Sequence, residues 1–161
     1  MQISVRPAKK SERDNIDILL QYYLHDFSEF EAVEIDPNGR YTYPYLDMYW
    51  QDPRRSPFLI YIQDNIAGFA LVQQEVDPAN GRTRMDLSEF FVLRVFRNQG
   101  IGNKAATILW EKFPGAWQVR VLKSNKPGYP FWQHAISRHT IGQYKEQVTK
   151  EGFTFIFDST S

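Results

Sequence analysis

The 161 residues contain no cysteine. This excludes a disulfide framework, a thiolate nucleophile and a cysteine-ligated metal. Histidine is scarce too: His25, His134 and His139 are the only three, and their spacing fits no metal-ligand motif. An excess of one charge sign is also missing. Nineteen Lys and Arg balance nineteen Asp and Glu, with a pI near 6.8. No global field therefore draws the chain to nucleic acid or to an anionic membrane. No apolar run approaches the ~20 residues that cross a bilayer. The opening Met1-Gln-Ile-Ser-Val-Arg lacks the basic-then-apolar layout of a secretory leader. The expectation is a cytoplasmic protein with neither a nucleic-acid nor a membrane partner. Internal repeats and low-complexity segments are absent as well.

What is plentiful is aromatic. Phe, Tyr and Trp make up 16% of the chain, enough to supply both core and pocket wall. The length suits one domain over residues 1–161 with a core of its own. Residues 3–7 alternate as a short first strand. Ser11 reads as the N-cap of a helix whose buried face carries Ile16, Leu19, Leu20, Tyr23 and Leu24 at helical spacing. A turn at 36–39 leads into the aromatic stretch 41–50. There Pro44 can open a helix running to Trp50. Its rings either pack the segment down or wall a substrate pocket.

Residues 58–62 and 66–72 read as strands joined through Gln63-Asp64-Asn65, with Asp-Asn suited to a tight turn at positive φ. A third antiparallel strand, 85–93, follows the turn at 77–81. A helix carrying Ala105, Ala106, Ile108, Leu109 and Trp110 stops before Pro114. Strand 116–122 follows this crossover and so lies parallel to the strand before it. A second crossover helix opens at Pro130. Segments 143–149 and 153–157 close the chain as a hairpin. The order is β-α(α)-β-β-β-α-β-α-β-β. Three meandering strands early in the chain argue against a doubly wound parallel sheet.

Between strand 85–93 and its following helix lies Arg97-x-x-Gly100-x-Gly102. A strand, a glycine loop and a helix N-terminus bring backbone N–H groups around one anion, and glycines keep side chains out of its way. No Gly-Lys-Ser/Thr closes the loop, so it is not a P-loop. The third glycine of the dinucleotide fingerprint is replaced by Ala105.

The motif and its flanks resemble the pyrophosphate-binding segment of the GNAT superfamily of N-acetyltransferases, and the element order matches that family over nearly the whole chain. The resemblance implies an α/β (α+β) fold: a mixed, mostly antiparallel sheet of about six to seven strands flanked by about four helices. It implies acetyl-CoA as co-substrate and no metal. Backbone N–H groups of Asn98, Gln99, Gly100, Ile101, Gly102 and Asn103 would hold the pyrophosphate, with Arg97 opening the motif and Arg94 and Lys104 nearby. The pantetheine arm would pair with the backbone of Phe91, Val92 and Leu93, which requires the two parallel strands to splay apart. Asn125 would contact the pantetheine or orient its loop.

The implied reaction is direct attack of a primary amine on the thioester in a ternary complex. The acceptor is an unidentified small molecule or protein. Glu89 would be the general base and the Val92 N–H would meet the oxyanion. The chain departs from the family where a tyrosine usually protonates the leaving thiolate, because Trp132 stands at that place. An indole N–H is no useful acid. Tyr129 is the available substitute, and Trp132 would pack on the pantetheine. The departure keeps open a second function, a coenzyme-binding regulatory module without turnover. Homodimers are common in the family.

Overall fold

Seven strands join one sheet in the order β1-β2-β3-β4-β5-β7-β6. In this computed structural model, which describes residues 1–160, the strands are β1 (Ile3–Pro7), β2 (Arg55–Ile62), β3 (Asn65–Val76), β4 (Thr83–Val92), β5 (Ala116–Leu122), β6 (Tyr144–Val148) and β7 (Gly152–Asp158). The helices are α1 (Arg13–Phe27), α2 (Ile101–Lys112) and α3 (Gly128–Thr140). Every neighbouring pair is antiparallel except β4 and β5. Parallel pairing there follows from the α2 crossover between them.

Strand alternation divides the core into two layers. Phe58, Ile60 and Ile62 of β2 pack on the face covered by α2 and α3, with Leu109, Trp110, Ile136 and Phe155. Leu59 packs on the opposite face with Ile16 and Leu20 of α1 and with Leu46, Phe69, Leu71 and Phe91. One layer thus backs each side of the sheet.

Four local expectations are corrected. Residues Lys10–Glu12 form a 3-10 turn ahead of α1, and the Lys9 N–H donates to Glu12 Oε1 at 2.9 Å, so Ser11 is not the helix cap. The helix expected over 44–50 is a 3-10 segment, Leu46–Trp50. It buries Leu46 and Tyr49, three residues apart, which the 3-10 repeat brings onto one line. The α-helices among the described residues then number three, close to the expected four. Between β2 and β3 the positive φ falls on Gln63, at 54°; Asn65 already belongs to β3. In α3, Pro130 is the third residue rather than the first. It is still within the turn where no backbone donor is needed.

Two features of β4 shape the space around it. First, Leu71 pairs with Glu89 and Val72 with Leu87, so Ser88 is an extra residue, a β-bulge. A bulge bends its strand and shifts side-chain phase. Met85 and Leu87 before it, and Phe90 and Val92 after it, all reach the α2/α3 layer. Second, β4 and β5 pair only at Met85–Trp117 and Asp86–Gln118. Beyond those positions the strands part, while β5 stays fully paired with β7. On its other side β4 leans closely on β3. A Cβ added to Gly68 would stand 2.0 Å from the Phe91 carbonyl oxygen.

Asp86 sits at the fork and is wholly buried. Its carboxylate accepts from Gln118 Nε2 at 2.7 Å, Arg120 Nε at 3.1 Å, Arg120 Nη2 at 2.9 Å and Ser88 Oγ at 2.6 Å. Side-chain hydrogen bonds thus take over where the backbone ladder ends. Asp86→Ala should destabilise the fold by about 3 kcal/mol, because it removes the acceptor of the buried Gln118 amide and of the Ser88 hydroxyl along with the ion pair of the half-exposed Arg120. Asp86→Asn, which keeps one acceptor, should cost about 1–3 kcal/mol. Chemical denaturation of the three proteins measures the difference, and equal stability of all three would remove the fork carboxylate as a structural anchor.

Candidate active site

The parting strands open a cleft of about 740 Å³. Its walls come from the end of β4, the loop at 94–100, the start of α2, the last turns of α1 and the inner face of α3. A second cavity, about 250 Å³, is lined by the bulge residues Ser88 and Glu89 with Tyr43, Tyr45 and Tyr49. The aromatic stretch 41–50 thus does more than pack; three of its tyrosines wall this cavity. Tyr23 lines the cleft and also donates to Glu89 Oε1, at a long 3.5 Å. The two spaces therefore adjoin at Tyr23 and β4.

At the floor of the cleft the chain turns sharply into α2. Asn98 and Gly100 take left-handed backbone conformations, φ 60° and 78°. The short Asn side chain tolerates this and Gly has no Cβ to oppose it. The first backbone bond of α2 runs from the Lys104 N–H to the Gly100 carbonyl at 3.1 Å. The N–H groups of Ile101, Gly102 and Asn103 lie ahead of it with no helical carbonyl to reach, and the helix dipole adds partial positive charge there. This is a cradle for an anion. Within the protein itself the two glycines meet different needs. At Gly100 a Cβ would meet nothing within 4 Å, so the requirement is the backbone angle. At Gly102 it would stand 3.1 Å and 3.2 Å from the Phe131 ring, so that glycine seats α3 against α2.

The end of β4 presents little free backbone. The Leu93 N–H donates across to Ala67 on the β3 side, at 2.8 Å. By alternation the Val92 N–H and carbonyl point to the open edge. That carbonyl already accepts from Arg97 Nε at 2.7 Å, which leaves the Val92 N–H. Among the described residues, Leu93 and Gln99 do not line the cleft; Gln99 Nε2 donates to the Val95 carbonyl instead.

Asp26 is a cleft residue that the sequence did not single out. It accepts from Arg97 Nη2 at 2.8 Å and Arg94 Nη2 at 2.5 Å. Burial pushes its carboxyl up, but the bonds from the two arginines outweigh this and hold it below its ordinary value. His134 and Arg138 also line the cleft. They stand one helical turn apart on α3, an i, i+4 pair that was legible in sequence but had nothing to place it. His139 is elsewhere, its ring tilted against Trp110 and bonded to the Ser159 carbonyl at 2.9 Å.

Asn125 lines the cleft, and its Oδ1 accepts from the Gly128 N–H at 3.0 Å, so its side chain orients the loop into α3. Trp132 lines the cleft, packed on Phe90 and Phe131 with ring centroids at 5.1 Å and 4.8 Å. Tyr129 corrects an expectation. It lines neither cavity and packs on Phe153 at 4.5 Å. A bond with Glu146 pushes its phenol up, making it a poorer acid.

Glu89 faces the smaller cavity. Burial pushes its carboxyl up to about 7, with Asp86 adding to the rise and Tyr23 and Arg120 opposing it. Burial also raises the Tyr23 and Tyr43 phenols, so both stay protonated beside it.

The match to known proteins agrees with this geometry. The model of the Acetyltransferase (GNAT) family matches residues 17–135. The chain belongs to the GNAT family of acetyltransferases. An acetyltransferase from Thermus thermophilus superposes with a TM-score of 0.70 at 14% identity, covering 98% of this chain and 97% of that one. The Vibrio cholerae spermidine N-acetyltransferase, solved with CoA and spermine, gives 0.66 at 11% identity, covering 99% and 96%. An aminoglycoside acetyltransferase from an uncultured soil metagenomic sample gives 0.65 at 14% identity, covering 91% and 92%. At these identities the superpositions establish the fold. No curated protein matches the chain in sequence. Among the described residues, no cluster of three or more His, Asp or Glu could hold a metal, and no helix is long and apolar enough to cross a membrane.

The glycines yield a prediction. Gly102→Val should lower stability by about 1–3 kcal/mol by overpacking Phe131. Gly100→Ala should cost about 1–2 kcal/mol through left-handed strain alone. Both should weaken coenzyme binding. Denaturation curves with calorimetry of coenzyme A test this; an unchanged Gly102→Val fold would contradict the packing role.

Proposed function

We propose that the chain acts as a single acetyltransferase domain that moves the acetyl group of acetyl-CoA to a primary amine by direct attack in a ternary complex. One observation carries the reading. A carboxyl poised near pH 7 sits in a small cavity that adjoins, at β4, a cleft ending in a helix N-terminus with unclaimed N–H groups. Amine acceptors in two similar folds, spermidine N-acetyltransferase and aminoglycoside acetyltransferase, support an amine here.

The residues present fit a coenzyme A. N–H groups from Asn98 to Asn103 suit its diphosphate, and Val92 offers a donor on the open strand edge. Phe91 and Trp132 give the arm apolar wall, while Arg94, Arg97, His134 and Arg138 supply positive or polar groups. Bound there, the thioester supplies an activated acyl carbon. The protein's part is to free the amine and steady the charge. An alkylamine of pKa ~10.4 costs roughly 4 kcal/mol to deprotonate at pH 7. Glu89 accepts that proton, directly or through water. As nitrogen bonds to the acyl carbon and the carbon–sulfur bond breaks, the Val92 N–H meets the charge on oxygen. Trp132 is no acid, so the thiolate, of pKa ~8.5, leaves unassisted or is protonated through water, which also receives the second proton shed by the acylated nitrogen.

A binding module without turnover is the competing reading. The buried Trp132 at the place of the usual acid favours it. Release of thiol from acetyl-CoA with an amine panel decides between them.

Glu89 accepts a proton only when ionised, so kcat/KM should fall as pH drops below about 7. Glu89→Gln should lower the rate about 10²–10⁴-fold near neutral pH. The deficit should shrink toward pH 10, where the amine is already free. A ratio constant across pH would remove Glu89 as base.

A further inference from the structure

The cavity beside Glu89 has a charge pattern that the transfer chemistry does not require. Two guanidiniums, Arg55 and Arg120, share its wall with a single carboxyl, Glu89. The acidic groups behind that wall are committed. Asp86 bonds to Arg120, Gln118 and Ser88. Glu75 accepts from Gln118 Nε2 at 2.8 Å and Gln73 Nε2 at 3.2 Å, and lies 3.8 Å from Arg84 and 4.0 Å from Arg120, beyond hydrogen-bond range of both.

Arg120 is hydrogen-bonded by Asp86, with Glu75 4.0 Å away, while its side chain stays 56% exposed, so it is held in place with N–H groups to spare. Arg55 opens β2, opposite Gln73 of β3, and its guanidinium lies 5.5 Å from the Tyr49 ring centroid. Its neighbour Asp52 stays 3.8 Å away, beyond hydrogen-bond range, and bonds to Arg54 instead. Arg55 is therefore propped on a ring at the cavity wall without a carboxylate bonded to it, an arrangement suited to a planar or tetrahedral anion.

Resting on the transfer reading, we infer that the acceptor is a small amine that also bears an anionic group, carboxylate or phosphate, which Arg55 and Arg120 bind while the amine faces Glu89. A polycation is disfavoured. Its second ammonium would meet two guanidiniums, and the only lining carboxyl is needed for the reacting nitrogen. Size agrees: about 250 Å³ lies below the ~300–1,000 Å³ of sites for drug-sized ligands, so amine and anion are separated by few bonds.

The test uses the intact protein, acetyl-CoA and matched amines: amino acids, their decarboxylated amines, short aminoalkyl phosphates and a polyamine. Thiol release gives kcat/KM; calorimetry with the amine alone gives binding without turnover. Anionic amines should exceed their decarboxylated partners by about 10–100-fold, and the carboxylate and phosphate arms identify the anion. Arg55→Gln should collapse that ratio to near one by raising KM, and Arg55→Lys should restore part of it. Arg55-dependent binding without thiol release upholds this inference and overturns the transfer reading. Thiol release indifferent to the anionic group, or highest with the polyamine, overturns this inference and leaves transfer standing. Neither binding nor release with any amine overturns both.

Discussion

The arrangement depends on a fork between two parallel strands and on the buried carboxylate that closes its crotch. β4 and β5 share only two register positions, and a sheet opened in mid-course leaves polar backbone to be satisfied. Side chains rather than backbone hold the strands there: the Asp86 carboxylate binds the Gln118 and Arg120 side chains of β5 and the Ser88 hydroxyl of its own strand. The same contacts fix Arg120 at the wall of the smaller cavity. One anion thus serves both the fold and the electrostatics of the site.

The bulge at Ser88 acts on the other side of the same strand. It turns Ser88 and Glu89 together toward the smaller cavity and restores Phe90 and Val92 to the layer under α2 and α3. A regular strand would carry one parity through its whole length. Here the extra residue lets β4 present a carboxyl to one space and an open N–H to the other within four residues. Tyr23, edge-on to Phe69 and Phe91, stands where the two spaces meet.

Much of this was readable in the chain. Strand 116–122 and the closing hairpin follow from apolar alternation and turn residues, and the glycine loop ahead of α2 from Arg97-x-x-Gly100-x-Gly102. The membership in the acetyltransferase family was visible in that motif. Other features depended on contacts distant in sequence. Asp26 lies 71 residues from Arg97, and no local pattern ties the two. Arg55 and Arg120 reach one cavity only because β2, β3, β4 and β5 stack in that order. Tyr129 was adjacent in sequence to the site yet turned away, its ring packed on Phe153 and Phe155 of β7.

The sequence by itself determined the seven strands and three α-helices, though not the 3-10 segment after the turn at 36–39, that the connection after β4 crosses over to a parallel neighbour, and that a glycine loop opens α2. These follow from short-range periodicity and backbone restraint, which a stretch of chain carries within itself. The tertiary structure alone decided that β4 and β5 part, that Glu89 lies where burial raises its carboxyl to about 7, and that two arginines face it. Splay, desolvation and charge pairing arise from what surrounds a residue in space, and elements far apart along the chain supply those surroundings.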